Sequence, residues 1–252
     1  MLIPISAVII TKNEVDRITP CIKSLLPFIN DIVVIDNGST DGTVKKAKEL
    51  GARVFQHEWL GYGPTKNLGH TKAKNDWILS LDADESLSAE LIQELKTLQL
   101  QEKMVYAMDR QNYYLGKKIK HSGWSPDWVF RIFNKRNVAW NKNLVHEKLN
   151  IPDGFKIYKL RNKLIHHSYR STEDHKKKVE KYAKLRAQIW VDKNRHPHIF
   201  KKLFGPFFKG FKSYILQLGF LDGVAGWNIA KMNVHLVKRQ LYYFDLLKKN
   251  TS

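Results

Sequence analysis

The sequence predicts an α/β chain, with a mostly parallel sheet flanked by helices and a helical extension at the C-terminal end. Three observations carry this. Short apolar, β-branched runs alternate with helical patterns over residues 3–98. Polar clusters stand just past the ends of three of those runs. Beyond residue 170 the strand patterns stop, and basic, aromatic-rich helical patterns take over.

Residues 3–11, Ile-Pro-Ile-Ser-Ala-Val-Ile-Ile-Thr, suit a buried parallel strand. Over residues 13–26, Val15, Ile18, Ile22, Leu25 and Leu26 share one helical face. Cys21 falls in that pattern and reads as a buried thiol. Residues 31–36, Asp-Ile-Val-Val-Ile-Asp, are a second strand, which runs into the turn signal Asn37-Gly38-Ser39-Thr40-Asp41-Gly42. Residues 43–50 are helical, with Gly51 as the stop. Residues 53–57 are a third strand, 63–73 a loop entering a helix, and 76–81 a fourth strand. Residues 88–98 form a helix with Ser88 as N-cap.

Residues 105–114, 129–133 and 163–167 have the pattern of strands in an antiparallel extension. A helix over 171–194 carries Glu173 and Asp174 in its first turn, where they suit the dipole. Its apolar face is Val179, Tyr182, Ala183 and Trp190. Over 200–220, Leu203, Phe204, Phe207, Phe208, Phe211, Tyr214, Ile215 and Leu218 recur at helical spacing. Gly205-Pro206 places the start of regular helix near Pro206. A last helix spans about 226–247.

The chain has 252 residues, 43% of them hydrophobic, enough for one large domain or one domain with an appendage. A single cysteine excludes an intrachain disulfide framework. Met1 leads directly into an apolar strand with no basic region ahead of it, so no signal peptide is expected. No uncharged apolar run reaches the length of a transmembrane helix, so none is expected. The net charge of +19 is uneven: residues 1–150 hold 21 Lys and Arg against 17 Asp and Glu, and residues 151–252 hold 22 against 7. That asymmetry points the C-terminal part at a polyanion: nucleic acid, an anionic membrane, or a phosphorylated substrate on a membrane.

Ligands of such sheets bind beyond the C-terminal strand ends. Thr11-Lys12-Asn13-Glu14, Asp36-Asn37-Gly38-Ser39 and Asp82-Ala83-Asp84-Glu85 all lie there. In extended chain, Asp82 and Asp84 point to the same side and repel unless a cation bridges them. Mg²⁺ or Mn²⁺ takes such oxygens together with substrate phosphates. Asp36 suits a base N–H or ribose hydroxyl, or else an Asx-turn. Thr11, Asn13 and Glu14 stand at a strand-to-helix junction that can receive a polar ligand or simply cap the helix. Lys66 is a candidate phosphate or uracil contact, against the plainer reading of a solvated lysine.

These three clusters together, Val8-Ile9-Ile10-Thr11-Lys12-Asn13-Glu14, Val34-Ile35-Asp36-Asn37-Gly38-Ser39-Thr40-Asp41-Gly42-Thr43 and Leu79-Ser80-Leu81-Asp82-Ala83-Asp84-Glu85, resemble glycosyltransferase family 2 in order and spacing. Gly61-Tyr62-Gly63, Arg131-Ile132-Phe133, Val145-His146-Glu147, His166-His167-Ser168-Tyr169-Arg170 and Gly219-Phe220-Leu221-Asp222-Gly223 are similar to the lipopolysaccharide inner-core β-1,4-glucosyltransferases that use UDP-glucose. The broad likeness covers about residues 3–90; the closer one extends through most of the chain.

The resemblance implies a GT-A fold, a UDP-sugar donor, and inversion at the anomeric carbon with Mg²⁺ or Mn²⁺. By it, Thr11, Glu14 and Asp36 contact the uridine, joined on the donor side by Asn13, Ser39, Lys66 and Arg131. Asp82 lies near ribose and metal, Asp84 binds the metal, and His166 or its neighbour His167 completes the site. Inversion needs a base for the acceptor hydroxyl; Glu147 and Asp127 are the two candidates. Arg131 holds the diphosphate or an acceptor anion, or is structural.

The implied reaction moves a hexose, glucose by the closer likeness, to a heptose of the lipopolysaccharide inner core at the cytoplasmic face of the inner membrane. Another lipid-linked or cell-envelope glycan is the alternative acceptor. The expected division is a catalytic part over 1–170, with donor binding over about 1–100 and acceptor binding over 101–170. Residues 171–252 form a basic, aromatic extension, read as lying on an anionic membrane or packing against the catalytic part or a second copy. No nucleic-acid partner is implied, and no motif reports the oligomeric state. Nucleotidyltransfer would bring a glycine-rich phosphate loop, which Thr11-Lys12-Asn13-Glu14 lacks. A purely binding basic module would not need Asp82 and Asp84.

Overall fold

The computed structural model describes residues 3–141 and 147–249. Its elements are β1 (Ile5–Thr11), α1 (Val15–Leu25), β2 (Asp31–Asp36), α2 (Thr43–Glu49), β3 (Arg53–Gln56), α3 (Tyr62–Lys72), β4 (Trp77–Asp82), β5 (Glu85–Leu87), α4 (Ala89–Lys96), β6 (Met104–Tyr114), β7 (Lys117–Lys118), β8 (Trp128–Asn134), β9 (Ala139–Trp140), β10 (Leu149–Asn150), β11 (Lys156–Tyr169), α5 (Thr172–Asp192), α6 (Ile199–Phe211) and α7 (Gly223–Lys249). A π-turn at Lys212–Leu216 and a 3₁₀ turn at Gly219–Asp222 join α6 to α7. Two compact units result, Met1–Arg110 with Asp127–His166, and Gln111–Pro126 with His167–Ser252. No helix among the described residues is long and apolar enough to cross a membrane.

The first unit is the α/β layer expected of a GT-A chain. The sheet runs β3-β2-β1-β4-β8-β6-β11-β5, and β6 and β11 contribute residues to both units. β3, β2, β1 and β4 are mutually parallel, whereas β8 is antiparallel to β4 and β6 to β8. The sheet is therefore parallel over its N-terminal part and antiparallel through the extension. β1 and β2 are buried along their whole length, which explains their continuous rather than alternating apolar runs. Strand order reverses at β1, with β2 on one side and β4 on the other. Register then lines up the polar ends: Thr11 lies opposite Asp36, and Ile10 opposite Asp82.

Capping follows the local chemistry. Gly51 closes α2 at φ 82°. The Ser88 hydroxyl accepts from Leu91 N–H at 3.1 Å. The region 63–73, expected as a loop leading into a helix, is helical from Tyr62, and Gly69 lets it lie closely on β1 and β2. Cys21 is fully buried under the same sheet. β5 was not anticipated; three residues are too few for a periodic signal, and it forms only by pairing with β11, Glu85 opposite His166.

The second unit is mainly helical. Glu180 on α5 accepts from Arg239 Nε and Tyr243 Oη on α7 at 2.8 and 2.9 Å and meets His235 Nε2 at 2.8 Å. Asp222 accepts from Lys120 N, His121 N and Ser122 Oγ at 3.1, 3.1 and 2.8 Å. Two expectations are corrected here. α6 begins at Ile199, and Pro206 lies inside it. The apolar stripe is also not one helix, because the π-turn and the left-handed Leu218 break it before the 3₁₀ turn. Packing of α6 against α7 outweighs the local cost of an interior proline.

α3 seats tightly on β1. A Cβ on Gly69 would stand 2.3 Å from Val8 Cγ1 and 3.2 Å from Ile35 Cγ1. Gly69→Ala is expected to cost about 1–3 kcal/mol of stability by overpacking, read as a lower midpoint in chemical denaturation.

Candidate active site

The rim of the first unit gathers charge on a buried frame. Arg131, on β8 and 4% exposed, donates through Nη2 to Asp82 Oδ2 at 2.9 Å and Glu85 Oε1 at 2.6 Å. Glu85 is itself buried, and its Oε2 accepts from Asp82 N–H at 3.1 Å. Lys66, on α3, is only 1% exposed, so the plainer reading of a solvated lysine does not hold. Its Nζ lies 3.1 Å from Asp82 Oδ1, 3.1 Å from Glu147 Oε1 and 4.6 Å from the centre of the Trp140 ring. Arg110 meets Glu85 Oε1 at 3.4 Å and grips Asp127 Oδ2 through Nη2 at 2.8 Å and Nε at 2.9 Å. One chain of ion pairs thus runs Glu147–Lys66–Asp82–Arg131–Glu85–Arg110–Asp127.

Burial alone would raise the pKa of Asp82, but Lys66 and Arg131 outweigh it and hold the carboxyl well below the usual carboxylate range. Burial would lower Arg131; Glu85 and Asp82 override it and raise it. Cys21 is driven the other way: burial, then Glu85, Asp84 and Asp82, raise its thiol well above the usual value. It stays protonated and is no nucleophile.

The other rim residues are ordered by each other. Asp36 Oδ2 accepts from Gly38 N–H at 3.2 Å and Ser39 N–H at 3.0 Å, and the Ser39 hydroxyl bonds Oδ1. This is the Asx-turn geometry. Asn13, in the left-handed region at φ 55°, donates its N–H to Ser39 Oγ and accepts from Thr40 N–H, each at 2.8 Å. Glu14 N–H donates to Thr43 Oγ1 at 2.9 Å. Thr11 Oγ1 is buried with no hydrogen-bond partner among the described residues, which leaves an oriented hydroxyl at the sheet's reversal point.

Asp84 Oδ2 lies 3.7 Å from Arg17 Nη1 and 3.6 Å from His166 Nε2. Period-2 alternation along β11 turns His167 the other way, and its ring packs on Tyr113 at 5.2 Å. His166 is therefore the histidine beside Asp84.

The profile of "Glycosyl transferase family 2" matches residues 6–161. The chain belongs to that family. An uncharacterized glycosyltransferase of Rickettsia felis is 32% identical over 241 residues, covering 88% of this chain and 83% of the relative. The lipopolysaccharide core biosynthesis glycosyltransferase LpsC of Rhizobium meliloti is 30% identical over 237 residues, again covering 88% and 83%. Among solved structures, S. aureus TarS in complex with UDP aligns over 100% of this chain and 91% of its own, with 15% identity and a TM-score of 0.47.

The rim residues of this glycosyltransferase suit a divalent cation. Two ligands each about 2.1 Å from one ion stand about 3.0–4.2 Å apart. The 3.6 Å between Asp84 Oδ2 and His166 Nε2 falls inside that span. No three or more His, Cys, Asp or Glu gather for a metal among the described residues. A two-residue protein site fits an ion whose remaining ligands are substrate phosphates and water. The Asp82 oxygens already face Lys66 and Arg131.

Sequence reading did not single out Glu85, Arg110 or Arg17 for a role. The available signals were a charged Arg110 within an apolar strand pattern, and Arg17 three residues after Glu14 on one helix face.

Two predictions follow from the frame. Arg131→Met leaves Asp82 and Glu85 facing each other without their shared cation. It is expected to cost about 3–5 kcal/mol, measured by denaturant unfolding. Burial, then Lys66 and Lys135, push His70 down to about 3, whereas an unfolded histidine titrates near about 6.5. Between those values the unfolded chain binds a proton that the folded chain refuses, so stability is lost as pH falls through the window. His70→Gln should flatten unfolding free energy against pH between 6.5 and 4, by at most about 1.4 kcal/mol per pH unit.

Proposed function

We propose that this glycosyltransferase moves a hexose, glucose from UDP-glucose, onto a heptose of the lipopolysaccharide inner core, with inversion at the anomeric carbon. The observation that carries the chemistry is the Lys66 ammonium, 3.1 Å from both Asp82 Oδ1 and Glu147 Oε1. It couples a donor-side carboxylate to a carboxylate able to serve the acceptor. The acceptor class is supported by the likeness to LpsC over 88% of this chain.

In this reading, Thr11, Asn13, Glu14, Asp36 and Ser39 receive the uridine, with the buried Thr11 hydroxyl available to it. Asp82 lies by the ribose, and Lys66 and Arg131 face the diphosphate. Asp84 and His166 hold Mg²⁺ or Mn²⁺, which when bound neutralises charge on the departing diphosphate. Glu147 takes the proton of the acceptor hydroxyl as its oxygen bonds the anomeric carbon and the bond from that carbon to the diphosphate breaks. Asp127, whose Oδ2 Arg110 grips at two points, is the second choice. Residues 1–100 serve the donor and 101–170 the acceptor, while the basic 171–252 region serves a lipid-anchored, phosphorylated saccharide at the cytoplasmic face of the inner membrane.

The test is transfer from UDP-glucose to a deacylated, heptose-containing core saccharide with Mn²⁺ or Mg²⁺. Glu147→Gln should lower kcat by about 10²–10⁴-fold, and Asp127→Asn should lower it less. Undiminished turnover in Glu147→Gln removes the assigned base. Absence of any UDP-hexose turnover with either metal removes the donor assignment.

A further inference from the structure

The second unit contains a helix packed with its small residues inward. Pro206 and Gly210 of α6, with Ser213 just after it, are the buried positions, spaced i, i+4, i+7. They face α7: a Cβ on Gly210 would stand 2.6 Å from Val234 Cγ2, and one on Gly205 3.6 Å from Val237 Cγ1. The large side chains point away. Phe200, Phe204, Phe207 and Phe208 are 57–73% exposed, and Val224 and Trp227 at the start of α7 are exposed as well. Phe200 stacks on Phe204, and Phe207 on Phe211, so the rings form ordered rows. A helix selected only for stability would bury these rings. A contiguous apolar face of this kind marks a surface that meets something.

The charge around it says what. Residues 193–221 contain six Lys and Arg and no Asp or Glu. Burial, and after it the neighbouring cations Arg186 and Lys212, pull Lys209 down. A second copy pairing through this face would set the same cations against each other across a two-fold axis. A bilayer answers both features at once, with acyl chains for the rings and headgroup phosphates for the lysines.

We propose that the outer face of α6 and the start of α7 form an interfacial docking surface for a bilayer rich in anionic phospholipid. The proposal deepens the reading of a lipid-anchored acceptor and rests on it for its purpose, though not for its geometry. The rings insert at the level of the acyl boundary, and Lys209 and Lys212 engage headgroups.

The test is flotation of the full chain with vesicles of phosphatidylglycerol and phosphatidylethanolamine, against phosphatidylcholine alone. The wild type should float with the anionic vesicles, less so at high salt. Changing Phe200, Phe204, Phe207 and Phe208 together to Ser should weaken binding by about tenfold or more. Their exposure means that the thermal midpoint and turnover of a deacylated soluble acceptor should not change. Lys209→Gln with Lys212→Gln should reduce both the affinity and its salt dependence. Absence of wild-type flotation, or equal flotation of wild type and serine variant, overturns the proposal. So does a lipid-free dimer that the serine changes convert to monomer, which assigns the face to a second copy. Intact flotation without sugar transfer supports the docking surface and removes the proposed reaction instead.

Discussion

The buried guanidinium of Arg131 is the interaction on which the rim of this glycosyltransferase depends. A charge this deep is tolerated only where opposite charges meet it. Asp82 and Glu85 do so at 2.9 and 2.6 Å. That requirement fixes the end of β4, the start of β5 and the middle of β8 relative to one another. From it the frame extends in two directions. Through Asp82 and Lys66 it reaches Glu147; through Glu85 and Arg110 it reaches Asp127. Glu147 and Asp127 are thus both tied to the same buried cation, each at the end of its own relay.

The sheet supplies the rest of the order. Its reversal at β1 opens the crevice, and the turn after β2 is held before any ligand arrives. Asp36 accepts from the turn's own N–H groups, and Asn13 locks the turn from the neighbouring strand end. A loop ordered in this way would lose little entropy on receiving any ligand. Asp84 and His166 come together by a different route. Three residues of β5 pair with β11 and bring Glu85 opposite His166, so Asp84, in the turn just before β5, comes within 3.6 Å of the imidazole.

The second unit spends its apolar residues differently. In the first, large aliphatic side chains fill the space around the sheet and leave the rim polar. In the second, α6 meets α7 through glycine, proline and serine and leaves its rings in water. Close approach through small residues stabilises the helix pair by van der Waals packing. The exposed rings then remain available to an apolar phase outside the chain.

Much of this was determined by the sequence alone. Continuous β-branched runs at βαβ spacing dictate a parallel sheet, because a strand covered on both faces has no polar side to show. The carboxylates at Asp36, Asp82 and Asp84 are legible for the same reason, since a strand that ends in Asp must end at the rim. Tertiary structure alone decided how those charges are used. Lys66 reads as a ligand contact or a solvated lysine until α3 lies on the sheet and buries it against Asp82 and Trp140. Glu85 and Arg110 become partners only across strands distant in sequence. The direction of the α6 stripe was likewise undetermined, because helical periodicity reports which residues share a face but not what that face meets. Only the packing of Gly210 on Val234 shows that the face turned inward is the small one.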